Sequence, residues 1–314
     1  MTANLQNPIF TDETKAREWL EARIWPTGPV CPHCGSTGDD VTALNGKAHR
    51  PGLYQCSSCR EQFTVTVKTV FERSKIPLSK WLAALFLLTA SKKGVSAHQV
   101  HRSLDISYKS AWFMMHRLRE ALRPASYPRP LGGLEETVEV DETYVGGKAT
   151  NRKSRKVRAK QAVVALVHRG ADARSFPIRK VNSRHMNALL GKQVSKKSYL
   201  MTDDSNVYPK IGKKFRDHQA VNHSIEEYVR GDAHVNNAEN YFSILKRGIT
   251  GVYHHVSHEH LPMYLAEFDF RYNARSGLGV NDYERAELAA KGITGKRLTY
   301  RRPHIERQKS APQA

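Results

Sequence analysis

Three acids that stand far apart in the chain occupy positions where carboxylates can do chemistry. Asp141 lies in "VEVDETY", Asp203 in "YLMTDD" and Glu239 in "HVNNAENYFSILKRG", where Lys246 follows seven residues later. Seven steps at about 100° per residue bring a helix back to within roughly 20° of its start, so Glu239, Ser243 and Lys246 share one line. Ala238, Phe242, Leu245 and Ile249 make the adjoining apolar face. A lone acid and base at this spacing read more readily as a solvated helix edge, so the two upstream acids decide the matter. Carboxylate oxygens are hard ligands suited to magnesium or manganese. Two such ions about 4 Å apart activate an attacking oxygen and stabilise a leaving one in an in-line phosphoryl displacement. Both upstream acids are doubled, Asp141 by Glu142 and Asp203 by Asp204. Alternation along a strand predicts that one member of each pair points away.

A second cluster is made of sulfur. Cys31 and Cys34 form one CxxC knuckle and Cys56 and Cys59 another, 21 residues on, and these are all the cysteines of the chain. Two knuckles complete the tetrahedral shell of a closed structural zinc site, and loop length between them is a cheap variable. The alternating "QFTVTVKTV" after the second knuckle predicts a hairpin strand and hence a zinc ribbon over residues 27–72, preceded by a short helix within 1–26.

The elements that must position these groups follow in order. "SKWLAALFLLTASKKGVSAHQVHRSLDISYKSAWFMMHRLREAL" predicts three helices within 75–123, with Ser96 and Ser107 as caps and Val100, Leu104, Ala111, Met114, Met115, Leu118 and Leu122 facing inward. This is a helix-turn-helix rhythm, which leaves Lys109, Ser110, His116, Arg117 and Arg119 for DNA. "RPASYPRPLGG", Arg123 to Gly133, marks a linker set at 124–134. From 135 to 276 the patterns run three strands, helix, strand, helix, strand, helix, which is the order of an RNase H-like α/β fold with a mixed sheet. Such a sheet puts Asp141 and Asp203 at strand ends, where a crossing helix delivers Glu239. The remaining 277–314 reads as a basic, mobile tail with DNA contact as a secondary role.

Composition narrows the partner. Fifty Lys and Arg against 30 Asp and Glu give a net charge of +20, far beyond what solubility needs, and point to a polyanion. The longest apolar run, "WLAALFLLTA", is half a membrane span, so no membrane partner is expected. No export signal is legible and cysteine usage fits a reducing compartment, which predicts a cytoplasmic, nucleoid-associated protein.

The motifs "VEVDETYVGGK", "TDD…Y" and "HVNNAENYFSILKRGITGVYHHVS", behind a CxxC pair and a helix-turn-helix, resemble bacterial insertion-sequence transposases of the DDE type with an N-terminal zinc ribbon, the ISXO type. The resemblance runs from about Pro29 to Arg275. It implies Asp141, Asp203 and Glu239 as the catalytic triad holding two Mg²⁺ (or Mn²⁺), and Lys246 as the accompanying phosphate-binding lysine. It further implies binding of the terminal inverted repeats of double-stranded DNA, release of a 3′-hydroxyl, its attack on target DNA, and a homo-oligomer in the DNA complex. Asn240 and Tyr241 stand where a glycine and another aromatic are expected, which leaves the packing of that helix open. His254, His255, His258 and His260 contain two pairs at helical spacing that can in principle bind metal, though a structural role is the expectation. Two other readings compete: a zinc-ribbon and helix-turn-helix regulator whose α/β domain only dimerises, and a nuclease that cuts without joining.

Overall fold

The computed structural model describes residues 6–146, 160–221 and 229–299. The expected tail beyond 299 lies outside them, as do 147–159 and 222–228.

Asp12 caps helix α1 (Glu13–Ile24) by accepting from the Thr14 and Lys15 amides. The ribbon follows as three short antiparallel strands, β1 (Val41–Ala43), β2 (Tyr54–Cys56) and β3 (Gln62–Phe63). The strand expected over "QFTVTVKTV" stops after two residues. Val65, Val70 and Phe71 are instead buried in the helical core, so the apolar residues of that run answer to a neighbouring core rather than to one sheet face.

Helix α2 (Leu78–Ala90) is buried nearly all round, and its first amides, from Leu78 and Ser79, donate to the Glu13 carboxylate at 2.7 and 3.0 Å. Helices α3 (Ala97–Leu104) and α4 (Tyr108–Leu122) are capped by Ser96 and Ser107 as the sequence indicates. Between them Asp105 turns the chain with φ of 47°. Val100, Ala111, Met114, Met115, Leu118 and Leu122 are buried, and Leu104 is half-buried.

The α/β domain is built on a mixed five-stranded sheet: β4 (Thr137–Val145), β5 (Gln161–His168), β6 (Ala173–Ile178), β7 (Tyr199–Asp203) and β8 (Asp217–Val221), in the order β6-β5-β4-β7-β8. Strands β4, β5 and β6 are antiparallel neighbours, while β7 and β8 run parallel to β4. Helices α5 (Ser183–Gln193) and α6 (Pro209–Gly212) cover one face, meeting Val138, Val140, Val164 and Leu166. Helices α7 (Asn236–Gly248) and α8 (Leu261–Asn273) cover the other, meeting Val145, Val163, Ala165 and Val167. Buried on both faces, β5 reads as one apolar run, "QAVVALVH".

Two boundaries differ from expectation. Leu131, near the end of the linker, is buried and bridges to Val194, so that segment is bound to the sheet domain. Residues within 277–299 are not all tail: α9 (Asp282–Lys291) carries a full capping box between Asn281 and Glu284. Its Ala289 and Ala290, with Ile293 beyond, enter the same core as α1, α2, α4 and the ribbon cysteines. Trp19 Nε1 donates to the Tyr283 hydroxyl at 2.8 Å and Arg23 Nε to Glu287 at 2.9 Å, which ties α1 to α9. No helix among the described residues is long and apolar enough to cross a membrane.

Candidate active site and zinc centre

Strand β4 pairs with β7 only from Thr137 to Glu139, so Asp141 stands mid-strand just past the end of that ladder, rather than at the end of its own strand. Asp203 is the last residue of β7. Alternation puts Glu139, Asp141 and Thr143 on the face toward α7, and Met201 and Asp203 on the same face, because Glu139 is opposite Met201 in register. The convergence is electrostatic as well as topological. Burial pushes the Asp141 carboxyl up to about 7 from an ordinary 3.8, against the Glu142 amide that donates to it at 2.7 Å. The charges of Glu142, Asp203 and Glu239 raise it further. Asp203 and Glu239 therefore both lie within reach of the Asp141 carboxyl's field.

Glu142 turns to the opposite face, as alternation requires, and accepts a hydrogen bond from the buried Tyr208 hydroxyl. Its carboxyl is raised by burial and by Asp203, so it stays electrostatically close to the acids it was expected to leave. Asp204 is exposed, one residue past the end of β7.

The residue that sets α7 against β4 is one the sequence reading passed over. Glu139 is fully buried, two positions before Asp141 and on the same face. Its Oε2 accepts from the amides of Asn237 and Ala238 at 2.8 and 3.1 Å, and its Oε1 from the Asn237 side chain at 2.8 Å. Arg169 Nε donates to it at 2.7 Å, and His234 Nδ1 lies 3.1 Å away. Val235, at the cap position, offers no side-chain acceptor, so a strand carboxylate serves the orphan amides of the first turn. Glu239 is thereby held at a fixed place relative to Asp141. The signal available in the sequence was the acid in "VEVDE", whose spacing of two matches Asp141's face.

Lys246 is exposed on α7 and lines a cavity of about 490 Å³ with Tyr144, His254 and His255. His258 is exposed, and His260 packs among Trp112 and His116 at ring distances of 5.6 and 4.6 Å.

The cysteines come together as the knuckle spacing requires. All four sulfurs lie within 4.8 Å of one another, the one such set of three or more ligand side chains among the described residues. The acids and the histidines form no equally tight group. Gly35 and Arg60, each just after the second cysteine of its knuckle, have φ of 85° and 63°. Hydrogen bonds from Ser36 bring the Cys34 thiol down to about 6. The Glu61 amide favours the Cys59 thiolate, but burial and the three other thiols push it up to about 12. Four soft donors in a closed shell fit zinc.

Among the residues expected to face DNA, Lys109 is exposed and Ser110 half-buried at the start of α4, where Ser107 caps the Ser110 amide. Arg117 departs from that expectation. It is buried, donates to the Glu72 carbonyl at 2.7 Å and lies 5.1 Å from the Trp81 ring, so it joins α4 to the segment before α2. Arg119 is likewise buried, paired with Glu267 of α8 at 2.6 Å, and His116 is buried beside it. A pattern of basic residues on a helix does not reveal that its far face meets another domain.

Residues 133–273 match the ISXO2-like transposase domain and residues 11–62 the transposase zinc-ribbon domain, together more than half of the chain. The protein is a DDE transposase, and its function is transposition through DNA cleavage and strand transfer. It belongs to the ISXO2-like transposases that carry an N-terminal zinc ribbon. It is 28% identical over 279 residues to an uncharacterized protein in transposable element ISH50 of Halobacterium salinarum, covering 83% of this chain and 91% of that one. Solved structures with some likeness are the Mos1 transposase paired-end complex with left transposon end (13% identity, TM-score 0.27, 68% of this chain and 80% of that one) and a pre-cleavage Mos1 transpososome (10%, 0.27, 93% and 96%).

Proposed function

We propose that the chain binds the terminal inverted repeats of its own element, frees a 3′-hydroxyl at each end and joins it to target DNA, with Asp141, Asp203 and Glu239 as the catalytic acids. The observation that carries this assignment is the coupling of the half-buried Asp141 carboxyl to Asp203 and Glu239, side chains 62 and 98 residues downstream. Asp141, whose proton affinity is raised by Asp203 and Glu239, forms with them a hard, anionic donor set, which fits divalent magnesium or manganese. Two such ions, when bound, activate the attacking oxygen and stabilise the leaving one.

The chain's own residues do the positioning. Asp141 and Asp203 are fixed by neighbouring strands and Glu239 by the Glu139 anchor of α7, so the geometry does not depend on a loop. Lys246, two turns along α7, contacts a phosphate beside the reacting one. The helices α2 to α4 form the DNA-reading module, with Lys109 and Ser110 at its exposed helix start, and the ribbon holds one structural zinc. The sheet is read as RNase H-like from its strand order. The protein acts in the cytoplasm on nucleoid DNA, as a homo-oligomer when both ends are bound.

The test separates binding from chemistry. Asp141→Ala, Asp203→Ala and Glu239→Ala should each lose magnesium-dependent 3′-end cleavage and strand transfer of labelled element ends by several orders of magnitude, while gel shifts on the same samples stay near wild type. Lys246→Ala should fall between. Full activity of Glu239→Ala would refute the triad, and wild-type protein that binds ends without ever cutting them would favour the regulator.

A further inference from the structure

On the side of α7 away from the Glu239 line, a cleft of about 400 Å³ opens between the end of α2, helices α7 and α8, and the turn before α9. Its charged lining is four cations, Lys92, Arg271, Arg275 and Arg285, against one acid, Asp282. Asp282 is matched by Arg285 at 2.7 Å. Among the described residues Arg275 donates to the carbonyls of Ala171 and Tyr272, which do not offset its charge. Arg271 shares the single carboxylate of Glu267 with Arg119, so that buried triad carries one surplus positive charge. Arg271 is 7% exposed, yet its Nε and Nη2 have no hydrogen-bond partner among the described residues. Buried guanidinium donors left unmet beside an unbalanced set of cations are a costly arrangement, and one that an anion with several acceptor oxygens relieves.

We propose that this cleft is an anion site that takes a backbone phosphate of bound DNA. The proposal rests on the DNA-processing reading above. Asn240, which lines the cleft, follows Glu239 directly, about 100° round the same helix. A strand crossing α7 therefore meets the catalytic line and the cleft in succession. One phosphate held in the cleft fixes the register of its neighbour at the acids, a positioning role that phosphate contacts serve without reading sequence.

Lys92 and Asn240 are both exposed, so Lys92→Ala and Asn240→Asp change the charge of the cleft with little demand on folding. The measurement is affinity of the full-length chain for a duplex carrying the element end, across a salt series, with thermal stabilisation by inorganic phosphate followed in parallel. Loss of one phosphate contact should flatten the slope of log affinity against log salt by about 0.9, and Asn240→Asp should weaken binding at least tenfold and abolish the phosphate effect. Unchanged slopes in both variants would overturn the proposal. So would phosphate stabilisation with unchanged slopes, which describes an adventitious ion only. Wild-type protein that fails to bind duplex at any salt would instead sink the DNA reading itself.

Discussion

Glu139 and Asp141 stand two positions apart on one strand face, and their surroundings treat them oppositely. Glu139 collects donors from Asn237, Ala238 and Arg169, whereas Asp141 faces other carboxylates and is pushed up to about 7. The first is a positioning residue and the second is the acid proposed above to meet a cation. Glu139→Gln keeps the shape but removes the charge that meets Arg169 and the helix amides. It should cost on the order of 2–3 kcal/mol in urea unfolding, and it should lower cleavage far more than DNA affinity, because α7 and with it Glu239 lose their fixed place. A variant with wild-type cleavage would show that α7 is held by packing alone. Asp269 supplies a pH effect of a different origin. It is buried, and although the Tyr241 hydroxyl and the Ser175 amide and hydroxyl donate to it, burial pushes its carboxyl up to about 7 from 3.8. Between those values the folded chain holds a proton that the unfolded chain has released, so stability contributed by this group is full below about 4 and is lost as pH rises to about 7. Asp269→Asn carries no such group, so its stability relative to wild type should improve steadily from pH 4 to pH 7 in denaturant titrations. A constant difference would show that Asp269 stays ionised.

Helix α7 shows how much of an element is legible in its sequence. The apolar face of Ala238, Phe242, Leu245 and Ile249 is buried as its 3.6 period requires, and the acid lies on the expected line. Asn240 and Tyr241, which left the packing open, divide cleanly: Asn240 is exposed, and Tyr241 is buried with its hydroxyl bonded to Asp269 and Ser175. The succession of strands and helices, the two CxxC knuckles and the caps Ser96 and Ser107 were legible for the same reason, that each is a local pattern. Contacts between elements were not. Nothing in a single pattern tells that Glu139 caps a helix 98 residues away, or that Arg117 and Arg119 serve packing. The alanine-rich face of α9 gives no strong period, so that helix read as tail. The ribbon is the element where metal and packing coincide, since Cys31 and Cys56 are both core residues shared with α1 and α2. Cys34→Ala should therefore abolish stoichiometric zinc and expose the β1–β3 region to protease, while the five-stranded sheet keeps its protection. Full zinc content in that variant, measured under reducing conditions, would rule out the four-sulfur site.

Over the whole molecule, the N-terminal and C-terminal segments form one core, with the sheet domain inserted between them in sequence. The Val70 amide donates to the Ile293 carbonyl and the Gly295 amide to Lys68, while Lys296 reaches the carbonyl of Ala121 at the end of α4. Removing residues 282–314 should expose the partners of Ala286, Ala289, Ala290 and Ile293 and unfold the helical module cooperatively, with loss of DNA binding. The sheet domain should survive, as judged by proteolysis and circular dichroism. A truncated chain that still binds element ends with wild-type affinity would show that α9 is dispensable. The order of synthesis then becomes significant. The ribbon and helices α1 to α4 leave the ribosome first, but their core lacks one wall until α9 has been made. A chain halted at any point before residue 282 carries the zinc ribbon and helices α1 to α4, yet lacks the residues that complete their shared core. Interrupted synthesis therefore yields no partial protein with a closed N-terminal core.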